Sequence, residues 1–485
     1  RVLFTGDHLT RFGGVFLLHH FFRRLRLRQH FRDGVRFPQR NNAYSIPEML
    51  LALLYPIILG LGRLDTTELL RRNGVFQTLT GLPAYPDPTA LRRFLQRFAA
   101  RGLLKLRRLH DRLLGAMCQR PQPLTRVLFD LDSTVLTLYG RQEKARIGYN
   151  PHKRGRPSYH PLLCFEGQTK DFWHGELRPG DAHTASGAVW LLRACFAKLP
   201  QTVRQIRVRA DPGFYNYKVV RAIEARRGKF VIVARLTPPL KRMIPGLPYT
   251  EVRPGLAVAE GQYQPHGWPR PYRVVVVRKT LPEEESPQTT LFTVGRYSYH
   301  AFVTNFRLRP LAVYRFYNDR AAVELIIKEL KADYPLSKIP TGQFAANEAY
   351  FHLLLFAYAL VNWFKRLCLP AGYRSATLGT LRRRILMIPG EFVQARHGPT
   401  LRLPSSPSEQ QAIKYALIAS KGSGSEFDDF HAGFRFISFP QHVRVGHFGS
   451  GTGFLTTLTS APHISHTYVL PSSAILEHLL FDDCF

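Results

Sequence analysis

Asp132 and Asp211 each close a short alternating stretch, and Glu324 lies among residues suited to phosphate. Carboxylates converging from separate elements are what hard divalent cations need. Magnesium prefers oxygen ligands, keeps part of its water shell, and in pairs about 3.5–4 Å apart serves phosphodiester chemistry. In residues 126–132, Val127, Phe129 and Leu131 fall on one face and Asp130 and Asp132 on the other. In residues 205–211, Ile206, Val208 and Ala210 oppose Arg207, Arg209 and Asp211. If these two predicted strands are neighbours in one open α/β sheet, both carboxylates emerge at the edge where such sheets bind ligands. A strand-end aspartate also serves turns and helix caps, so neither is diagnostic alone.

The third candidate is set in the pattern Tyr317, Arg320, Glu324, Lys331. At about 100° per residue on a single helix, Arg320, Glu324 and Lys331 fall within roughly 40° of one another, with Tyr317 close by. Val323, Ile326, Ile327 and Leu330 form the adjacent apolar stripe. One face packs, and the next carries an acid, two bases and a phenol. The same spacing also suits a solvated face with an Arg320–Glu324 pair at i,i+4, worth tenths of a kcal/mol.

The elements that must position these residues can be read from periodicity and caps. Residues 43–120 read as basic helices, either a helical cap over the next domain or a DNA-end-binding module: Ser45 and Glu48 form a capping box, and Asp87 before Pro88 is a second helix start. From residue 121 strands are expected at 126–132, 159–165, 172–177, 205–211 and 229–234, with helices near 184–196 and 215–226. That alternation predicts an α/β fold. Residues 237–311 read as a β-rich insertion, and helices resume at 314–331 and 345–367. After about residue 400 the chain turns to Ser, Gly, Pro and Thr without a sustained period, which predicts poor order over 401–485.

Charge narrows the partner. The chain carries 68 Lys and Arg against 34 Asp and Glu, a formal charge of +34. An anionic membrane or ribosomal RNA would answer that charge as well as DNA does. Basic residues running the whole length favour nucleic acid. The dense stretch His152, Lys153, Arg154 and Arg156 is expected on a DNA backbone, or else in a solvated loop. A hydrophobic share of 45% argues against a mainly disordered chain. The five cysteines form no CxxC pair, which argues against a zinc ribbon and suits a reducing cytoplasm. The apolar run 49–61 is too short to span a bilayer and contains Pro56, so it predicts a buried helix and no membrane. Residues 1–14 show no signal peptide pattern. His160 and His183 match no ligand spacing, and Mg²⁺ disfavours imidazole.

The Tyr317–Arg320–Glu324–Lys331 block resembles the Tyr-Arg-Glu-Lys signature of DDE transposases, in the group of bacterial insertion sequences with a β insertion before the last Glu. Asp130, Leu131, Asp132, Ser133 and Thr134 are similar to that group's first acidic block, which favours Asp132 over Asp130. Arg209 to Phe214 resembles the second, and residues 139–161 the basic region between strands. The resemblance runs from roughly residue 45 to 400. It implies an RNase H-like mixed sheet flanked by helices. Residues 1–120 would be a basic DNA-binding region, 121–236 and 312–400 the two parts of the catalytic core, 237–311 the insertion and 401–485 an extension.

The implied chemistry is cut-and-paste transposition in a bacterial cytoplasm, on DNA at the nucleoid and by a homodimer that joins two element ends. Asp132, Asp211 and Glu324 would ligate two Mg²⁺ or Mn²⁺ ions. Tyr317, Arg320 and Lys331 would grip phosphates, with Lys153, Arg154 and Arg156 on the DNA backbone. Relatives release the element through a hairpin with a flipped base, and Trp268, Tyr297 and Tyr299 could stack it, or could simply pack in the sheet. A nuclease of the same fold, or an inactive DNA-binding protein, would share much of this pattern.

Overall fold

The computed structural model describes residues 8–38, 43–82, 84–98, 100–119, 123–151, 153–281, 292–294, 296–396, 398–404, 407–421 and 444–446. Strands of the central sheet and the longer helices that bear on the site are numbered in chain order. The strands are β1 (Arg126–Ser133), β2 (Leu162–Glu166), β3 (Phe172–Glu176), β4 (Gln205–Ala210), β5 (Lys229–Val233), β6 (Thr250–Arg253), β7 (Leu256–Tyr263), β8 (Tyr272–Thr280) and β9 (Tyr297–Thr304). The helices are α1 (Val15–Arg24), α2 (Ile46–Leu59), α3 (Ala100–Met117), α4 (Ala188–Ala197), α5 (Tyr217–Glu224), α6 (Pro310–Asn318), α7 (Ala321–Ala332) and α8 (Phe344–Cys368).

The sheet runs β6-β7-β8-β9-β5-β4-β1-β2-β3, with the short strand Phe292–Val294 alongside β9. β1, β2 and β3 form an antiparallel meander, and β1, β4 and β5 are parallel. Three antiparallel strands followed by two parallel ones, with β1 in the middle, is the RNase H-like arrangement. β1 is buried from Val127 to Asp132, as a strand flanked on both sides and covered on both faces must be. Strands β6–β9 continue the same sheet beyond β5, through antiparallel pairing of Phe302, Val303 and Thr304 with Val233, Ile232 and Val231. Residues 237–311 therefore extend the sheet, and β6 and β7 lie where the alternation pattern showed no strand.

Both sequence-predicted helix starts are present. Ser45 and Glu48 cap α2 reciprocally: the Ser45 amide donates to Glu48 Oε2 at 2.8 Å and the Glu48 amide to Ser45 Oγ at 3.4 Å. Asp87 Oδ1 accepts from the Thr89 and Ala90 amides at 2.8 and 3.0 Å. Residues 49–59 of that run are the body of α2 and are buried, and Gly60 caps the helix. α8 spans 25 residues and is long and apolar enough to cross a bilayer, but 89% of its apolar window is buried inside the fold. The N-terminal helices collect around it: Phe21 meets Phe364 and Phe31 meets Phe356, with ring centroids 5.5 and 6.0 Å apart. Residues 8–38, which resembled nothing in sequence, are thus core. Phe16, Leu17, Leu18, Phe21 and Phe22 of α1 are all buried.

The region after residue 400 carries a helix that the composition hid, Pro407–Lys421, held by buried Ala412, Ile413 and Ala416. Most of the expected disordered tail, 422–443 and 447–485, lies outside the described residues.

Candidate active site

The sheet register brings the two aspartates together. In the parallel pair β1–β4, Leu131 is opposite Ala210, so the next residue on each strand is Asp132 and Asp211. Asp132 is buried at 8% exposure and accepts the Ser133 amide at 2.7 Å. Asp211 caps a short 3-10 turn and accepts the Gly213 amide at 2.9 Å.

Two residues back on each strand lies a pair that sequence reasoning passed over. Asp130 is opposite Arg209, and the guanidinium donates to both carboxylate oxygens at 2.6 and 2.7 Å, with both side chains almost wholly buried. Arg209 also donates to the Phe316 carbonyl at 2.6 Å, tying β1 and β4 to the end of α6. The signal was available. Each member precedes a candidate aspartate by two residues, so the register that aligns the aspartates must align this opposite-charge pair as well. Asp130 has both carboxylate oxygens engaged by Arg209, and Asp132 is the acid of the first block that lies beside Asp211.

Arg320 links the third acid to the first. Its guanidinium lies 3.3 Å from Asp132 and 3.0 Å from Glu324, and donates to the Leu131 carbonyl at 3.0 Å. The Arg320–Glu324 pair expected from i,i+4 spacing is present, but Arg320 is only 3% exposed. The guanidinium expected on phosphate pairs here with Asp132, Glu324 and the Leu131 carbonyl, while its Nε has no partner among the described residues. The continuous helix expected over 314–331 is broken at Asp319–Arg320, where tight bonds from Arg320 to Tyr317 and from Val323 to Arg320 (2.9 Å each) close the turn. Tyr317 therefore ends α6 while Glu324 and Lys331 sit on α7. Tyr317 packs its ring 4.8 Å from Phe302.

The electrostatics are those of acids short of positive charge. Burial is the largest influence on Asp132 and lifts its carboxyl from 3.8 to about 6, with Asp211 and Glu324 adding to the rise against the pull of Arg320. Asp211 is raised for the same first reason, again opposed by Arg320. Burial pushes the Tyr317 phenol up to about 12. Lys331 is lowered by burial, and Asp132 counters this in part. The donor set is all oxygen, as a hard divalent cation requires. Among the described residues no three acidic, His or Cys side chains are gathered tightly enough to hold a metal ion. Glu324 is the member that stands off, its side chain 66% exposed and turned to Arg320.

The outlying predictions divide. Lys153, Arg154 and Arg156 are exposed in the loop between the short strands Arg146–Ile147 and Pro157–Tyr159. His160 is buried and links Ser133 Oγ (3.1 Å) to the Ala182 carbonyl (2.8 Å), a brace beneath Asp132. Trp268 is buried among Tyr215, Tyr217 and Tyr272, and Tyr299 is buried beside Tyr249. Those two rings are packing residues. Tyr297 is 38% exposed, with Arg278 4.6 Å from its ring.

An RNase H-like sheet with aspartates at the ends of its two central parallel strands, and a glutamate on the helix that packs against them, defines a DDE-type catalytic domain. The chain belongs to the transposase DDE domain family, group 1, which matches residues 1–421. It is accordingly a transposase, and the match includes the N-terminal helices as well as the sheet. No protein of curated function matches the chain significantly. Among solved structures, the piggyBac transposase synaptic complex with hairpin DNA is similar at 11% identity and a TM-score of 0.40, covering 77% of this chain and 80% of that one. That likeness is too distant to bear on function.

Proposed function

We propose that this transposase excises an insertion sequence from DNA and joins it to a new site, with Asp132, Asp211 and Glu324 holding two Mg²⁺ or Mn²⁺ ions. The observation that carries the reading is the pairing of Asp132 and Asp211 at the ends of adjacent parallel strands, with Glu324 tethered to Asp132 through Arg320. Bound metals would supply activation of water or of a 3′-hydroxyl and charge neutralisation at the leaving oxygen.

The chain's own residues do the rest. Burial of Asp132 and Asp211 makes their charge costly until a cation arrives, which favours metal over water at this edge. The Asp130–Arg209 pair fixes the two strands in register and holds the end of α6 against them. Glu324, largely exposed, is free to turn inward when the Arg320 contact is exchanged. Lys331 and Tyr317 border the acids and offer a point charge and a phenolic donor to a phosphate. Lys153, Arg154 and Arg156 offer backbone contacts to DNA further out. Two ends must be brought together, which calls for a homodimer acting on DNA in the bacterial cytoplasm, at the nucleoid.

The test is cleavage and strand joining on a duplex carrying the element's ends, with Mg²⁺ or with EDTA. Wild type is expected to cut and join only with the metal, and Glu324→Gln to bind the duplex without cutting it. Cutting by Glu324→Gln at the wild-type rate would remove Glu324 from the site. Cutting without joining would leave a nuclease, and tight binding without cutting in any metal an inactive DNA-binding protein.

A further inference from the structure

Residues 139–156 leave the fold just after Asp132 and return at His160. Their stem is a small sheet in which Pro157–Tyr159 lies between Leu136–Thr137 and Arg146–Ile147. On this protrusion three large side chains face solvent: Tyr139 at 73%, Ile147 at 63% and Tyr149 at 75% exposure. They stand among the exposed cations Arg141, Arg146, Lys153, Arg154 and Arg156. Among the described residues, Arg141, Arg146, Arg154 and Arg156 pair with no carboxylate. The one acid of the segment, Glu143, is spent on the fold: its carboxylate accepts the Phe344 amide at 2.8 Å, at the start of α8.

Slack does not explain the exposure. The Glu143 amide donates to the Gly342 carbonyl at 2.8 Å, and the Tyr159 hydroxyl to the Glu143 carbonyl at 2.7 Å. Asn150 donates to Thr137 Oγ1 at 3.0 Å and accepts the Lys153 amide at 3.0 Å. Gly148 lies so close to Gly180 that a Cβ on it would strike the Gly180 backbone. The segment is pinned at several points while its two phenols and an isoleucine are held out in water. A partner that covers this apolar surface would gain the solvation free energy its exposure forgoes.

The partner must offer negative charge and flat apolar faces side by side. A fully stacked duplex shows phosphate but hides its bases. A strand with unpaired bases shows both, and basic grooves with exposed aromatics are how such strands are held. Chain length limits Tyr139 Cα to about 24 Å from that of Asp132, seven residues away, so a strand lying here can reach the carboxylates.

We propose that Tyr139 and Tyr149 are stacking platforms for unpaired bases of the DNA strand that enters the active site, with Arg141, Arg146, Arg154 and Arg156 tracking its backbone. The proposal rests on the transposase reading and adds to it a base-contacting surface. It also transfers that role from Trp268 and Tyr299, which are buried.

The test compares a 40-base-pair duplex with the same duplex carrying a short run of unpaired bases that includes 2-aminopurine. Wild type is expected to bind the second more tightly and to quench its fluorescence. The Tyr139→Ala/Tyr149→Ala variant should lose the quenching and about 5-fold to 150-fold in affinity for each base no longer stacked. Its affinity for the intact duplex should stay within about twofold, and Tyr139→Phe/Tyr149→Phe should behave as wild type on both. If the alanine variant binds and quenches like wild type, the stacking proposal fails while the transposase reading stands. If wild type binds neither DNA, both fall.

Discussion

Replacing Asp132 by Asn should make the metal-free protein more tolerant of rising pH, although it removes a charged partner of a buried arginine. The Asp132 carboxyl sits at about 6 in the folded chain against an ordinary 3.8. A raised carboxyl contributes stability that is fully present below 3.8 and is lost as pH rises through about 6. Each tenfold change in proton affinity is worth about 1.4 kcal/mol, so the loss amounts to about 3 kcal/mol. The asparagine cannot titrate and keeps an oxygen for the Ser133 amide. It also places an amide beside Arg320, which adds a cost that does not vary with pH. The stability of the variant minus that of wild type should therefore climb by about 1.4 kcal/mol per pH unit between about pH 4 and 6, then level off, whatever its absolute value. The assay is urea unfolding in EDTA at half-unit steps from pH 4 to 8. A flat difference across that range would mean that burial does not dominate at Asp132 and would refute the electrostatic account of the site. With Mg²⁺ added at pH 8, wild type should gain stability and the variant should gain little, because ligand binding to the folded state alone stabilises it.

Three further outcomes are expected. Asp130→Ala strands Arg209 in the interior and should cost about 3–5 kcal/mol, read as a lowered denaturation midpoint; a cost under about 1 kcal/mol would deny the pair its structural role. Lys153→Ala/Arg154→Ala/Arg156→Ala should reduce the slope of log affinity for duplex DNA against log salt by about 2.7, at about 0.9 for each phosphate left without its cation, and should not change the unfolding midpoint; an unchanged slope would take these residues off the DNA. His110, His174 and His352 meet where α3, β3 and α8 pack, and burial lowers all three, His174 to about 2. A lowered imidazole contributes stability that is present above 6.5 and is lost as pH falls below it, at no more than about 1.4 kcal/mol per pH unit each. His110→Phe, a ring of similar size for a histidine whose Nε2 has no partner, should remove one such increment from the acid slope measured just below pH 6.5. An acid slope identical to wild type would contradict it.

Local pattern carried the reading of this chain as far as near neighbours reach. Alternation placed Asp132 and Asp211 at strand ends because successive side chains point to opposite faces, and Phe129, Leu131, Val208 and Ala210 are buried on one face, although Asp130 and Arg209 on the other face are buried as well. Caps at Ser45 and Asp87 were readable because their donors and acceptors lie within three residues. The order of strands and helices announced α/β, and the excess of cations announced a polyanion.

Which strands are neighbours, and in what register, was settled by packing between distant segments. So was the exchange of partners that followed: Asp130 closed by Arg209, and Arg320 drawn under the sheet edge to Asp132 where a surface pair was expected. The break between α6 and α7 has the same origin. A periodicity argument assumes an unbroken helix, and the tight turn at Arg320 accompanies a guanidinium that reaches 189 residues back to Leu131. Residues 8–38 were illegible alone because α1 is buried against segments distant in sequence, among them α8, more than 300 residues away, and the helix Pro407–Lys421 was hidden by a polar composition whose few apolar positions find their partners only in the folded chain. Contacts distant in sequence leave no local period, and the site is built from such contacts.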